Sequence, residues 1–259
     1  MLSAIIGNGF IANKHRLAIE KMGWEYLGAY DVVPSRSTLD FEDLNRANVI
    51  HICTPNAFHV PYMRQFAHKK LVIEKPISTD LYVPDVDACV CYQRRFDKQA
   101  MVMKDLCDKE KPNKIYADIL VPRDNFYWET WRGEKDISGG GALMNIGIHY
   151  VDLLQWWLGE GEVIKSEIGY FGRVMDESAY VKFKFGKTEV EFHINARHNV
   201  RSIRYVALWD DRSYVYDTDE ATHYELLKGW VEGRYVTPKE SLKSLELMLS
   251  IYANSSPKV

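Results

Sequence analysis

No stretch of the sequence is apolar for the roughly 18–20 residues that a membrane-spanning helix needs. The longest candidate, residues 142–157, is broken by Asn145, His149 and Asp152. Neither sign of charge dominates. The 33 Lys and Arg residues face 36 Asp and Glu, for a formal net charge of −3, which gives no footing for nucleic acid or an anionic membrane surface. There are only four cysteines, Cys53, Cys89, Cys91 and Cys107, and they do not form the paired spacing of a zinc site. They read as packing thiols in a reducing cytosol, with no disulfide and no metal expected. No basic segment precedes the first apolar run, which leads straight into a glycine turn, so no secretory signal is expected. Internal repeats and low-complexity segments are also lacking. The expectation is a soluble cytoplasmic protein.

Against these absences, 46% of the 259 residues are apolar, enough to bury the core of one large domain or two modest ones. The first third alternates short apolar strands, over 2–6, 24–30, 49–53, 71–74 and 88–92, with amphipathic stretches, the rhythm of a parallel α/β sheet. Helical spacing covers 11–22. Residues 75–87 are barely long enough for a crossover, so a loop or one helical turn is expected there. Beyond about Gln93 the texture changes. A connecting helix is predicted over 97–109, a strand over 116–121 and a strong helix over 142–158, ended by Gly159 and Gly161. Alternating segments follow at 164–171, 179–185, 188–196 and 203–216, and a last helix at 238–252. The fold class is therefore α/β plus α+β: a compact Rossmann-type parallel sheet, then an open antiparallel sheet with helices. The expected domains are 1–93, binding a dinucleotide, and 94–259, binding substrate and forming the oligomer.

Register is predicted for one hairpin. Gly186-Lys187 forms a two-residue type II′ turn, pairing Phe185 with Thr188, Lys184 with Glu189, Phe183 with Val190, Lys182 with Glu191 and Val181 with Phe192. One face then collects the apolar side chains, which should meet helices or another chain. The other sets opposite charges across the strands.

Gly7-Asn8-Gly9-Phe10-Ile11-Ala12 follows a strand and opens a helix, as G-x-G-x-x-G/A requires. The first glycine permits the tight turn, the second lets backbone approach a pyrophosphate, and the helix N-terminus favours the anion. Asp31 ends the second strand, near the ~20-residue spacing at which a carboxylate binds a ribose diol. It would repel a 2′-phosphate, so NAD is the expected cofactor. Ser35 and Arg36 keep NADP as the lesser alternative. Gly7, Asn8, Gly9, Phe10, Ile11 and Asp31 are the candidate cofactor residues of this segment.

Thr54-Pro55-Asn56-Ala57-Phe58-His59 follows the third strand and Glu74-Lys75-Pro76 the fourth, at the carboxyl ends where open α/β sheets bind ligands. With the glycine motif, and with Ser138-Gly139-Gly140-Gly141 through Asn145-Ile146-Gly147-Ile148-His149, the chain resembles the Gfo/Idh/MocA oxidoreductases over essentially its whole length. Within that family, the segment from Arg123 to Gly133 with Ser138-Gly139-Gly140 is most similar to UDP-N-acetylglucosaminuronate 3-dehydrogenases. The chain is shorter than usual members around 32–48 and 77–88.

The resemblance implies NAD-dependent oxidation of a sugar-nucleotide hydroxyl in surface-polysaccharide synthesis. Thr54, Pro55, Asn56, His59, Glu74 and Lys75 join the cofactor set. Lys75, before an expected cis proline, and His149 become the catalytic pair. Substrate contacts fall to Lys75, Arg123, Tyr127, Trp131, Arg132, Asn145 and His149. Asn145 departs from the aspartate of many members; a neutral amide cannot raise the histidine pKa as a carboxylate does. The 138–141 run either receives a substrate carboxylate or phosphate on its N–H groups or is an entry loop capped by Ser138. The implied assembly is a homodimer or homotetramer through the C-terminal sheet. Two other readings remain: a dehydrogenase of a free hexose or cyclitol, and a silent NAD- or sugar-binding sensor, against which the presence of both Lys75 and His149 argues.

Overall fold

The computed structural model describes residues 1–217 and 222–257. Two compact units divide the chain: residues 1–96 with 221–242, and residues 97–220 with 243–259. The first unit begins with β1 (Leu2–Ile6), α1 (Phe10–Lys21), β2 (Glu25–Tyr30), β3 (Val49–Ile52), α2 (His59–Gln65), β4 (Lys70–Ile73) and β5 (Ala88–Val90). Its strands form one sheet in the order β2-β1-β3-β4-β5, every pair parallel. The order reverses between β1 and β3, the switch point at which doubly wound sheets hold ligands. Short 3₁₀ turns replace a crossover helix between β2 and β3, and β4 reaches β5 by an irregular loop, which makes this half compact.

The second unit contains α3 (Lys98–Lys109), β6 (Lys114–Leu120), α4 (Asn125–Trp128), α5 (Lys135–Ser138), a π-helical turn (Leu143–Gly147) running into α6 (Ile148–Leu158), β7 (Glu162–Gly169), β8 (Ser178–Phe185), β9 (Thr188–Asn195), β10 (Ser202–Leu208) and β11 (Ser213–Tyr216). The chain then gives α7 (His223–Val231) to the first unit, followed by α8 (Pro238–Ala253) and β12 (Ser255–Pro257). The second sheet runs β11-β10-β6-β9-β8-β7-β12. It is mixed rather than purely antiparallel, because β6 pairs with β9, and β7 with β12, in parallel.

Three further expectations need correction. The expected boundary, a single cut after residue 93, misses the return of α7. Thr222 and Glu225 cap α7 with a reciprocal box, a local T-x-x-E signal for a helix start. Leu226, Leu227 and Trp230 pack it into a core with Ala18, Val49, Val72, Cys89 and Cys91, and Val90 bridges Val236. The run 203–216 is two strands, not one: Trp209 N–H donates to the Arg212 carbonyl at 2.9 Å, closing a hairpin over Asp210-Asp211, where the apolar alternation stops. The predicted helix over 142–158 opens with a π turn.

The β8–β9 register holds at every predicted pair from Val181–Phe192 to Phe185–Thr188. Gly186 has φ +55° and Lys187 does not share a positive φ, as type II′ requires. Lys184 reaches Glu189 at 3.4 Å, while Phe183, Phe185, Val190 and Phe192 are buried. α6 packs on the apolar face of this sheet: Trp157 stacks edge-on to Tyr205, and the Tyr205 hydroxyl donates to the Tyr150 carbonyl. Among the described residues no helix is long and apolar enough to cross a membrane.

Because the apolar side fixes the register, Phe192→Ala should cost about 3–5 kcal/mol. Lys184→Ala, which breaks an exposed ion pair, should cost under about 1 kcal/mol. Urea unfolding of the two variants measures both, and equal losses would contradict the assignment.

Candidate functional site

Gly7 turns the chain between β1 and α1 with φ +90°. A Cβ there would lie 2.8 Å from the Cys53 carbonyl oxygen, whereas one on Gly9 would meet nothing within 4 Å. The first glycine is thus demanded by packing, and the second leaves open space over the start of α1. No side chain caps α1, so its first N–H groups are available to water or an anion. Ala12 is buried against the sheet, while Phe10 is exposed. Asp31 stands at the same end. Its carboxylate accepts from Asn8 N–H at 2.7 Å and from Val33 N–H at 2.9 Å, tying the glycine turn to the tip of β2.

Lys75 follows β4, half-buried, and the Lys75-Pro76 bond is cis as expected. Asn56 is buried in the turn after β3, beside Thr54 and Pro55. His59 and Glu74 were expected to serve a cofactor, and the structure occupies both side chains otherwise. The ring of His59 is buried between two carbonyls, Nδ1 at 2.8 Å from Pro76 O and Nε2 at 3.0 Å from Thr54 O. Burial pushes its pKa down despite these two contacts. A neutral imidazole donates only one of them, so His59 hydrogen-bonds one of the two loops that carry Thr54 and Lys75 and packs against the other.

Glu74 points into the interior of the first unit. Its Oε1 accepts from His15 Nε2 at 2.9 Å and from His223 Nε2 at 2.8 Å. Burial alone would raise the carboxyl, but the two imidazole hydrogen bonds outweigh it and hold the group well below the usual range. His15 also meets His51 through their Nδ1 atoms at 2.9 Å, and burial pushes both imidazoles down. The sequence carries no local signal of this cluster, since its members lie far apart along the chain.

In the second unit His149 sits on α6 directly after the π turn, and both His149 and Asn145 are buried. A π turn widens the helix, and such turns concentrate at functional sites. Asn145 Nδ2 donates to the carbonyls of Gly140 at 2.7 Å and Gly141 at 3.1 Å.

N–H groups at the end of the glycine run and the start of the π turn are claimed from within. Asp176, 1% exposed, accepts from Gly141 N–H and Leu143 N–H, both at 2.7 Å, and from the Tyr252 hydroxyl at 2.8 Å. Gly141 is required here, because a Cβ would fall 2.2 Å from the Asp176 carbonyl oxygen. Burial raises the Asp176 carboxyl, and its three donors draw it part of the way back. An internal carboxylate therefore takes the Gly141 and Leu143 N–H groups, and the Ser138 hydroxyl bonds the Glu134 carbonyl rather than capping the helix that follows. Asp176 and Tyr252 were missed because only the folded chain brings them to this helix start.

In the 123–133 segment, arginine side chains lie against aromatic rings. The Arg123 guanidinium lies 4.9 Å from the Tyr127 ring centre, and Arg132 lies 5.0 Å from Tyr127 and 4.6 Å from Trp131. Burial raises the Tyr127 hydroxyl and lowers the Arg132 guanidinium. Trp128 turns into the core. Two cations on aromatic faces make a surface suited to a planar base, a sugar ring and phosphate oxygens.

A family model for the GFO/IDH/MocA C-terminal domain matches residues 111–215. A D-xylose 1-dehydrogenase [NADP(+)] of Haloarcula marismortui is 26% identical over 166 residues, 56% of this chain and 44% of the relative. The chain spans about half the length of the curated relatives it matches. Among solved structures, the WlbA (WbpB) dehydrogenase of Thermus thermophilus, in complex with NAD and alpha-ketoglutarate, superposes with a TM-score of 0.80 at 19% identity. The match covers 100% of this chain and 97% of that one. The WlbA dehydrogenase of Chromobacterium violaceum, in complex with NADH and UDP-GlcNAcA, gives 0.84 at 18% identity, over 98% and 93%. At these identities the structural likeness establishes the fold: a Rossmann-like parallel sheet followed by a mixed sheet with helices.

The Asp176 arrangement makes a stability prediction. Asp176→Asn keeps the shape but sets an amide N–H₂ against a backbone donor, and should cost about 2–4 kcal/mol in urea unfolding. Tyr252→Phe, which removes one of three donors, should cost about 1 kcal/mol. An Asp176→Asn protein as stable as the parent would remove the carboxylate from its assigned role.

Proposed function

From a chain whose residues 111–215 match the model of a GFO/IDH/MocA C-terminal domain, we propose an NAD-dependent dehydrogenase that oxidises a secondary hydroxyl of a sugar, at C3 of a UDP-N-acetylhexosaminuronate. The observation that carries the substrate class is the Arg123–Tyr127–Arg132–Trp131 cluster. Its cations suit the diphosphate and carboxylate of such a molecule, and its rings suit uracil and the sugar face.

The glycine turn fits a dinucleotide: the open space over Gly9 and the uncapped start of α1 suit a pyrophosphate, and Asp31 suits a ribose diol. When bound, the nicotinamide supplies the hydride acceptor. His149 takes the proton of the reacting hydroxyl, and Lys75 orients that oxygen and stabilises the charge it develops. Asn145 holds the backbone of the glycine run from which α6 departs. The WlbA structures, solved with NAD or NADH and one with UDP-GlcNAcA, support this reading. The xylose dehydrogenase relative favours a second one, a free sugar oxidised by the same pair with NADP. Self-association would use the outer face of the second sheet, where Tyr116, Asp118, Tyr180 and His193 stand, since α6 covers the inner face.

NADH formation with a panel of UDP-hexuronates, free pentoses, hexoses and cyclitols separates these readings, with the hexuronates expected to be preferred. Lys75→Met and His149→Ala should each lower turnover by about 10²–10⁴-fold while NAD affinity is retained. Near-normal turnover in both would defeat the mechanism. Asp31→Ser should weaken NAD and narrow the preference over NADP, and an unchanged ratio of the two affinities would remove Asp31 from the site.

A further inference from the structure

Four side chains from four separate segments of the first unit bring metal-ligating atoms together. They are His15 on α1, Glu74 after β4, Cys91 after β5 and His223 at the start of α7. All four are buried, and one ligand atom from each lies within 4.8 Å of every other. We propose that this cluster is a structural site for one zinc ion, bound by two imidazoles, one carboxylate and one thiolate. The site is independent of the dehydrogenase reading.

The donor set selects the ion. Two nitrogens, an oxygen and a sulfur match the borderline-soft, tetrahedral preference of zinc, whereas calcium and magnesium call for oxygen alone. A carboxylate and a thiolate neutralise a dication, which suits four buried groups of which Cys91 belongs to the apolar core of Leu226, Leu227 and Val72. Zinc bonds of about 2.0–2.3 Å imply donor separations of roughly 3.3–3.7 Å. The 2.8–2.9 Å contacts of Glu74 with His223 and His15 would open by about half an ångström, and the longest separation would close by about one.

A second layer is present as well. His15 Nδ1 lies 2.9 Å from His51 Nδ1. With zinc in place of the Nε2 proton, His15 would carry its N–H on Nδ1 and donate it to His51, the arrangement that orients metal-bound histidines. With four protein donors the site is closed, which marks it as structural rather than catalytic. Its consequence is to fasten α7, brought in from residue 222 onward, to the sheet formed by the first 90 residues.

Tag-free protein, chelated and dialysed, is titrated with zinc and separately with cobalt, whose visible bands report coordination. The expected result is one ion per chain, a higher melting temperature, and a thiolate-to-cobalt charge-transfer band in the near ultraviolet. Cys91→Ser, a one-atom change, should abolish that band, and Cys89→Ser, a neighbour outside the set, should keep it. His223→Gln should weaken zinc binding by more than about 100-fold, beyond the effect of an outer-layer change. The proposal is overturned if the protein takes up no zinc or cobalt. It is equally overturned if Cys91→Ser leaves the cobalt spectrum unchanged; the four groups are then a hydrogen-bonded core network only.

Discussion

A carboxylate can remain charged inside a protein only if hydrogen-bond donors replace the water it gives up. Each unit is organised around such a group. In the second unit Asp176 gathers two backbone N–H groups and a tyrosine hydroxyl. That arrangement sets the glycine run and the π turn from which α6 carries His149. In the first unit Glu74 gathers two imidazoles, which orients the end of β4 one residue before Lys75. The two residues proposed to handle the substrate proton therefore each stand close in sequence to a satisfied buried carboxylate or to the backbone it holds.

The chemistry is divided in the same way. The first unit offers a glycine turn shaped by Cys53 behind Gly7 and open in front of Gly9, with Asp31 anchored to that turn. The second offers His149 and a surface of arginines and aromatic rings. Binding and positioning account for most of what the proposed dehydrogenase must supply, since hydride chemistry belongs to the cofactor. Rigid backing for both parts is consistent with that demand: the buried His59 ring fills the space between the Thr54 and Pro76 carbonyls, and Trp128 roots the aromatic segment in the core.

Local signals were legible in the sequence. The strand–glycine–helix turn, the strands of the parallel sheet and the β8–β9 register follow from periodicity and turn chemistry over a few residues, and all are present. What depends on distant segments was not. The parallel pairing of β6 with β9, the return of α7, and the meeting of His15, Glu74, Cys91 and His223 have no nearby pattern. Glu74 and His59 looked like cofactor residues because their motifs sit at strand ends, yet each side chain points to internal partners. A motif locates a residue on the backbone; it does not say which way the side chain turns.

The central claim, a sugar hydroxyl oxidised by His149 with Lys75 and NAD, is tested most directly by a crystal structure with NAD and UDP-N-acetylglucosaminuronate bound. The account predicts the C3 hydroxyl hydrogen-bonded to His149, its carbon facing C4 of the nicotinamide, and the uridine diphosphate against Arg123, Tyr127, Trp131 and Arg132. A sugar hydroxyl far from His149, or a nucleotide that avoids the arginine–aromatic surface, would contradict it.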